Sequence, residues 1–110
     1  MSVSAPFSPS GNTVTFTATA SAPTPVQAVS STLGGNQYRV INSGNVLVFL
    51  GIGVTASQAS NSAAAITSTG NAIPILAGTD EILTFTPNAY FTGVSASSTA
   101  VVYITPGDGS

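Results

Sequence analysis

Hydrophobic and polar residues alternate with a period of two along most of this chain. Thr13–Ala20, TVTFTATA, places Val14, Phe16, Ala18 and Ala20 on one side and Thr13, Thr15, Thr17 and Thr19 on the other, as in a strand with one buried face. Pro23 and Pro25 end that run, and Val26–Ser30 predicts a short second strand closed by a turn at Gly34–Gly35. Asn36–Asn42 predicts a third strand. Ser43–Gly44 then reads as a two-residue hairpin loop into a fourth, since glycine accepts the positive φ such turns demand. In that fourth segment nine consecutive residues, Val46 to Val54, carry no polar side chain. A strand apolar on both faces has to be covered twice, either by a second sheet and a loop or by another subunit.

Thr55–Asn71 shows little periodicity and reads as a long loop with one helical turn around Ala56, Ala59 and Ala63. Beyond it, Ala72–Ala77 (AIPILA), Glu81–Thr86 (EILTFT), Tyr90–Ser95 and Thr99–Thr105 (TAVVYIT) read as strands. The stretches GTDE and TPNA between them are turn formers. Pro74 has no N–H to give a neighbouring strand, so its segment is expected at a sheet edge. Seven or eight short strands without a convincing helix predict an all-β, single-domain β-sandwich, jelly-roll or immunoglobulin-like. Residues 1–12, with Pro6 and Pro9 around Phe7, read as an extended N-terminal arm, and residues 13–110 as the sandwich domain. The arm is either a frayed end or a strap across a neighbouring subunit.

Composition narrows the partners. Of 110 residues, 43% are hydrophobic and only 4% charged, far below the roughly 25% of ordinary soluble domains, so Ser, Thr, Asn, Gly and Ala must build the surface. A net charge of −2 with a single Arg, Arg39, cannot neutralise phosphates, which argues against nucleic acid and against anionic membrane surfaces. The apolar run is about half of the ~20 residues a membrane-spanning helix needs. The opening MSVSAPFSPSGN has neither a basic nor an apolar leader region, so no secretory signal is expected. An uncharged, β-forming segment such as Val46–Val54 invites aggregation unless charges flank it, and here none do. Chains that persist in that condition are held in assemblies, where edges and patches are paired rather than repelled.

Catalytic chemistry is sparse. Without His, Cys or Lys there is no Ser-His-Asp triad, thiolate nucleophile or Schiff-base amine. The acids are Asp80, Glu81 and Asp108, and the first two, adjacent on a strand, point to opposite faces rather than across a substrate. Zinc and copper lack their ligands, and neither GTDE nor the terminal GDG has the spacing of an EF-hand calcium loop, so no metal or cofactor is expected. Arg39 reads as a local ion pair with Asp80 or Glu81, or as an interface contact. Tyr90 and Phe91 read as core packing or as interface aromatics. The candidates for contact with a partner are therefore Phe7, Arg39, Tyr90 and Phe91. The threonine row Thr13–Thr19 has the look of one line of an ice-binding array, but a single row reads as the solvent face of a strand.

Three stretches, QYRVINSGNVLVFLGIG, AIPILAGTDEILTF and the final YFTGVSASSTAVVYITPGDG, together resemble small virion proteins of tailed bacteriophages. In that group a strand ending in an Asn-x-Gly turn precedes a Val- and Phe-rich strand, an I-P-x-x-x-G turn and a closing TAxVYxTPGxG strand. The match runs from about Gln37 to Gly109. The resemblance implies a capsid decoration, or cement, protein: made in the host bacterial cytoplasm, a small β-sandwich or jelly roll on the capsid exterior, a homo-oligomer with a trimer favoured. Its implied partners are the major capsid protein or other virion proteins, which it would bridge against internal DNA pressure. No catalytic residue carries over. The alternatives are a tail, neck or fibre subunit, or a receptor- or glycan-binding module using Tyr90, Phe91 and the Thr55–Asn71 loop.

Overall fold

The structure is a computed structural model that describes residues 8–9, 11–29, 36–63, 72–95 and 97–108. Nine strands and one helix follow in order: β1 Ser8–Pro9, β2 Val14–Ala18, β3 Val26–Gln27, β4 Gln37–Asn42, β5 Val48–Gly53, α1 Ala56–Ser62, β6 Ile73–Ile75, β7 Asp80–Thr84, β8 Tyr90–Ser95 and β9 Ala100–Asp108. Strands β2–β9–β4–β7 form one sheet, with β1 continuing the β2 edge along β9, and β3–β8–β5–β6 form the other. The all-β sandwich read from the sequence is what the chain forms.

The pairing also decides between the two sandwich types. β5 pairs with β6, β4 with β7, β3 with β8 and β2 with β9, all antiparallel. The chain is thus one long hairpin, β2–β5 against β6–β9, folded over on itself so that β4 and β9 meet in one sheet and β5 and β8 in the other. That nesting is jelly-roll connectivity. An immunoglobulin domain groups its strands differently.

Two expectations need correction. Ser43–Gly44 does not close a hairpin, because β4 and β5 belong to different sheets and residues 43–47 turn the corner between them. Glycine suited either turn, and local sequence carries no information about which sheet the next strand joins. The segment after β5 is also more ordered than a loop with one turn. Thr55 caps a seven-residue helix, its hydroxyl accepting the Gln58 N–H at 3.2 Å, while Gln58 Oε1 accepts the Val54 N–H at 3.1 Å. The spacing Thr-x-x-Gln is close to a capping box, and that signal could have located the helix. Residues 64–71 of the expected loop, the Gly34–Gly35 turn and Phe7 lie outside the described residues. Of the expected N-terminal arm, residues 8–9 and 11–12 are described, and Ser8–Pro9 is paired to Asp108 and Gly107.

Helix α1 also resolves the double covering of β5. Val48 and Leu50 point into the core, while Gly51 and Gly53 turn outward beneath α1. A Cβ on Gly51 would stand 2.3 Å from the Ala59 carbonyl oxygen and 2.6 Å from the Ala63 nitrogen, so only glycine lets the helix lie this close. The strand is therefore covered by its own chain. Gly51→Val should push α1 off the sheet and cost about 1–3 kcal/mol, read by denaturant unfolding, with faster amide exchange concentrated in residues 56–62.

The core comprises Phe16, Tyr38, Val40, Val48, Leu50, Ile75, Phe91, Val102 and Ile104 with small alanines between them. Tyr38 meets Phe91 edge-on at 4.8 Å between ring centres. Its hydroxyl donates to the Thr86 carbonyl and accepts the Ala89 N–H at 3.1 Å, clasping both ends of the Thr86–Ala89 turn that carries the chain from one sheet to the other. Tyr38→Phe strands a buried N–H and should cost about 1–3 kcal/mol. Burial raises the Tyr38 phenol above its ordinary value of 10.0, outweighing backbone hydrogen bonds that lower it. With the folded value the higher, this contribution is complete below about pH 10 and is lost as pH rises through the folded value. A stability–pH profile should therefore fall above about pH 10 in the native chain and flatten there in Tyr38→Phe.

Sheet edges are guarded by placement rather than by many charges. β6 is an edge strand, as Pro74 predicted, and only three residues long. On β7, the opposite sheet's edge at that side, Glu81 pairs with inward-facing Val40 yet remains exposed, while Asp80 points out. An inward-pointing charge on an edge strand opposes pairing with another chain.

Candidate interaction face

The two outer faces of the sandwich differ. On the β3–β8–β5–β6 sheet, α1 packs over β5 and β8, and the outward residues Thr92 and Val94 are buried. On the β2–β9–β4–β7 sheet no described element lies over the outward side chains. Register fixes their arrangement: Thr13, Thr105, Arg39 and Ile82 cross the sheet in one row, Thr15, Tyr103, Ile41 and Asp80 in the next, and Thr17 with Val101 in a third. Tyr103 is 42% exposed and Ile82 47%; Ile41, beside Tyr103, and Val101, in the next row of β9, are half-buried.

The charges on this face cancel. Arg39 reaches diagonally to Asp80, Nη2 to Oδ2 at 2.7 Å, with both side chains about half exposed. The pair is worth little for stability in such an exposed setting. Its effect is on the surface: the only cation of the chain is neutralised in place, leaving a face that is apolar and hydroxyl-lined with no net charge. The threonine row on β2 borders it, held by Thr13 Oγ1 to Thr105 Oγ1 at 2.7 Å and by Thr15 Oγ1 donating to the Val102 carbonyl at 3.0 Å. At about 4.8 Å between strands and 3.3 Å per residue, the three rows span roughly 300 Å² in projection, threonines and ion pair included.

The residues singled out from sequence fall in different places. Arg39 lies on this face with the expected acidic mate. Phe91 is wholly buried, facing Tyr38, because residues alternate along β8 and its position is the inward one. Tyr90 is half-buried on the opposite, helix-bearing side, paired with Gly53 and Gln27. The structure thus does not bring the candidates together. What it assembles instead is Ile41, Ile82, Val101 and Tyr103, which sequence reading treated as ordinary strand residues. The outward phase of Val101 and Tyr103 was readable from the alternation in TAVVYIT, but the joining of β9, β4 and β7 side by side was not.

Among the described residues no group of three or more His, Cys, Asp or Glu lies together to hold a metal ion. No helix among them is long and apolar enough to cross a membrane. No protein family matches the chain, and neither curated proteins nor solved structures yield a similar one.

Proposed function

We propose that this chain is a structural subunit of a tailed-bacteriophage virion, a decoration protein that docks through the outer face of its β2–β9–β4–β7 sheet and bridges neighbouring capsid subunits. The observation that carries the reading is the contrast between the two sheets: one is covered by α1, while the other presents Ile41, Ile82, Val101 and Tyr103 around a self-neutralised ion pair. A face without net charge docks by apolar contact and shape, and needs no steering field. At roughly 300 Å² it is well below the ~800 Å² per partner of a standard interface. Secure attachment then follows from several copies engaging a symmetric lattice at once, each adding a modest contact. The resemblance of the strand and turn motifs to phage virion proteins supplies the identity of the lattice. The role is mechanical, and no residue is assigned a catalytic step.

The test is to band particles produced by the genome that encodes this chain on a density gradient and identify their proteins by mass spectrometry. Stoichiometric presence in the DNA-filled capsid band, and loss of DNA at lower temperature from particles made without the chain, support decoration. Presence only in detached tails or fibres moves the subunit elsewhere in the virion. Absence from every particle overturns the proposal.

A further inference from the structure

The end of the sandwich where β5 and β7 finish holds a feature that docking does not use. There α1 stands over an open cleft of about 350 Å³ lined by Ile52, Gln58, Asn61, Ser62 and Phe85, at the small end of the range for ligand sites. Ile52 and Phe85 are partly buried against the core and give it an apolar wall. The helix gives the polar wall. Gln58 spends its Oε1 on the Val54 N–H, which leaves the Nε2 amide with two hydrogens to donate. Ser62 Oγ accepts the Ile52 N–H at 3.1 Å, which leaves its own hydrogen to donate. Asn61 adds an exposed amide that both donates and accepts.

None of the five described lining residues is charged. A ligand ion entering here would shed water without gaining a counter-charge, a heavy penalty. A neutral polyol meets no such penalty: its hydroxyls accept from Gln58 and Ser62 and exchange hydrogen bonds with Asn61, and its C–H face lies against the Phe85 ring. We propose that this cleft binds a neutral carbohydrate of one or two sugar units. The inference does not rest on the virion reading. The cleft lies away from Tyr103 at the middle of the opposite sheet's outer face, so both sites can be occupied together.

The test is a glycan array probed with the full chain displayed multivalently, followed by amide-shift titration of the soluble chain with a panel of neutral mono- and disaccharides. The expected result is weak binding of particular neutral sugars, with shifts concentrated at Ile52, Gln58, Asn61, Ser62 and Phe85. Asn61→Ala and Gln58→Ala should each weaken it by about tenfold, the loss of a hydrogen bond to ligand; Asn61→Ala should leave the unfolding midpoint unchanged, while Gln58→Ala also removes the bond to the Val54 N–H and should lower it. Phe85→Ala should abolish binding, and Asn61→Ala keeps the test valid if that one folds poorly. No shift at these five residues with any sugar, or binding that survives all three substitutions, overturns the assignment. Neither outcome bears on capsid docking, which is read from particles and from Tyr103.

Discussion

Asn42→Ala is expected to lower stability by about 3 kcal/mol or more, out of the 5–15 kcal/mol typical of a domain. Asn42 is fully buried at the C-terminal end of β4, and both polar atoms of its side chain are hydrogen-bonded. Nδ2 donates to the Val46 carbonyl at 2.9 Å and to the Ile75 carbonyl at 3.0 Å, and Oδ1 accepts the Gly44 N–H at 3.0 Å. Its backbone takes part as well, the N–H donating to Thr79 O and the carbonyl accepting from Gly78 N. One residue therefore ties together the corner from β4 to β5 and the corner from β6 to β7. Truncation takes the side-chain partner from one buried carbonyl, one partly buried carbonyl and one partly buried N–H, and a buried group left unpaired costs about 1–3 kcal/mol. Asn42→Asp keeps the shape but turns a carboxylate toward two carbonyl oxygens. That variant should be worse than alanine near neutrality and recover partly on acidification, because burial among acceptors raises the carboxyl's folded value and the protonated form can donate one hydrogen bond. Urea denaturation of both variants at neutral and acidic pH gives the comparison.

Tyr103→Glu should have the opposite profile: little change in stability and loss of docking. Tyr103 points outward from the central strand β9 between Thr15 on β2 and Ile41 on β4, with 42% of its surface exposed. Exposed substitutions of this kind usually stay within about 0.5 kcal/mol for folding. At an interface the same carboxylate would be desolvated with no cation to meet it, since Arg39 is already engaged by Asp80. Binding to particles should fall by at least about a hundredfold, equivalent to roughly 3 kcal/mol per site, and more where several copies act together. Ile82→Glu, further toward the β7 edge, should weaken binding less.

Much of this architecture can be read along the chain, and what escapes the reading has physical causes. The alternation in TVTFTATA places Phe16 and Ala18 inward, and the proline of AIPILA marks the edge strand, because both are local properties of one segment. The helix after β5 is short and nearly all Ala, Ser, Asn and Gln, so its apolar stripe is faint, and it is held mainly by its Thr55 cap and by the glycines it lies on. The hub at Asn42 was hidden because its partners, Ile75 and Thr79, come from the far half of the sequence. The interaction face was hidden for the same reason: Tyr103, Ile41 and Ile82 become neighbours only when β9, β4 and β7 pair. Arg39 was the exception, since a lone cation in a chain with three acids has few possible mates.

The most direct measurement is rebinding. Particles assembled without the chain, mixed with purified wild-type or Tyr103→Glu protein and recovered by sedimentation, report docking and the face responsible at once. The account predicts that wild-type protein binds to saturation at a fixed number of copies per capsid and raises the temperature of DNA release, while the equally folded variant stays in the supernatant. Wild-type protein that does not sediment with the particles, or a variant that binds as well as wild type, would contradict it.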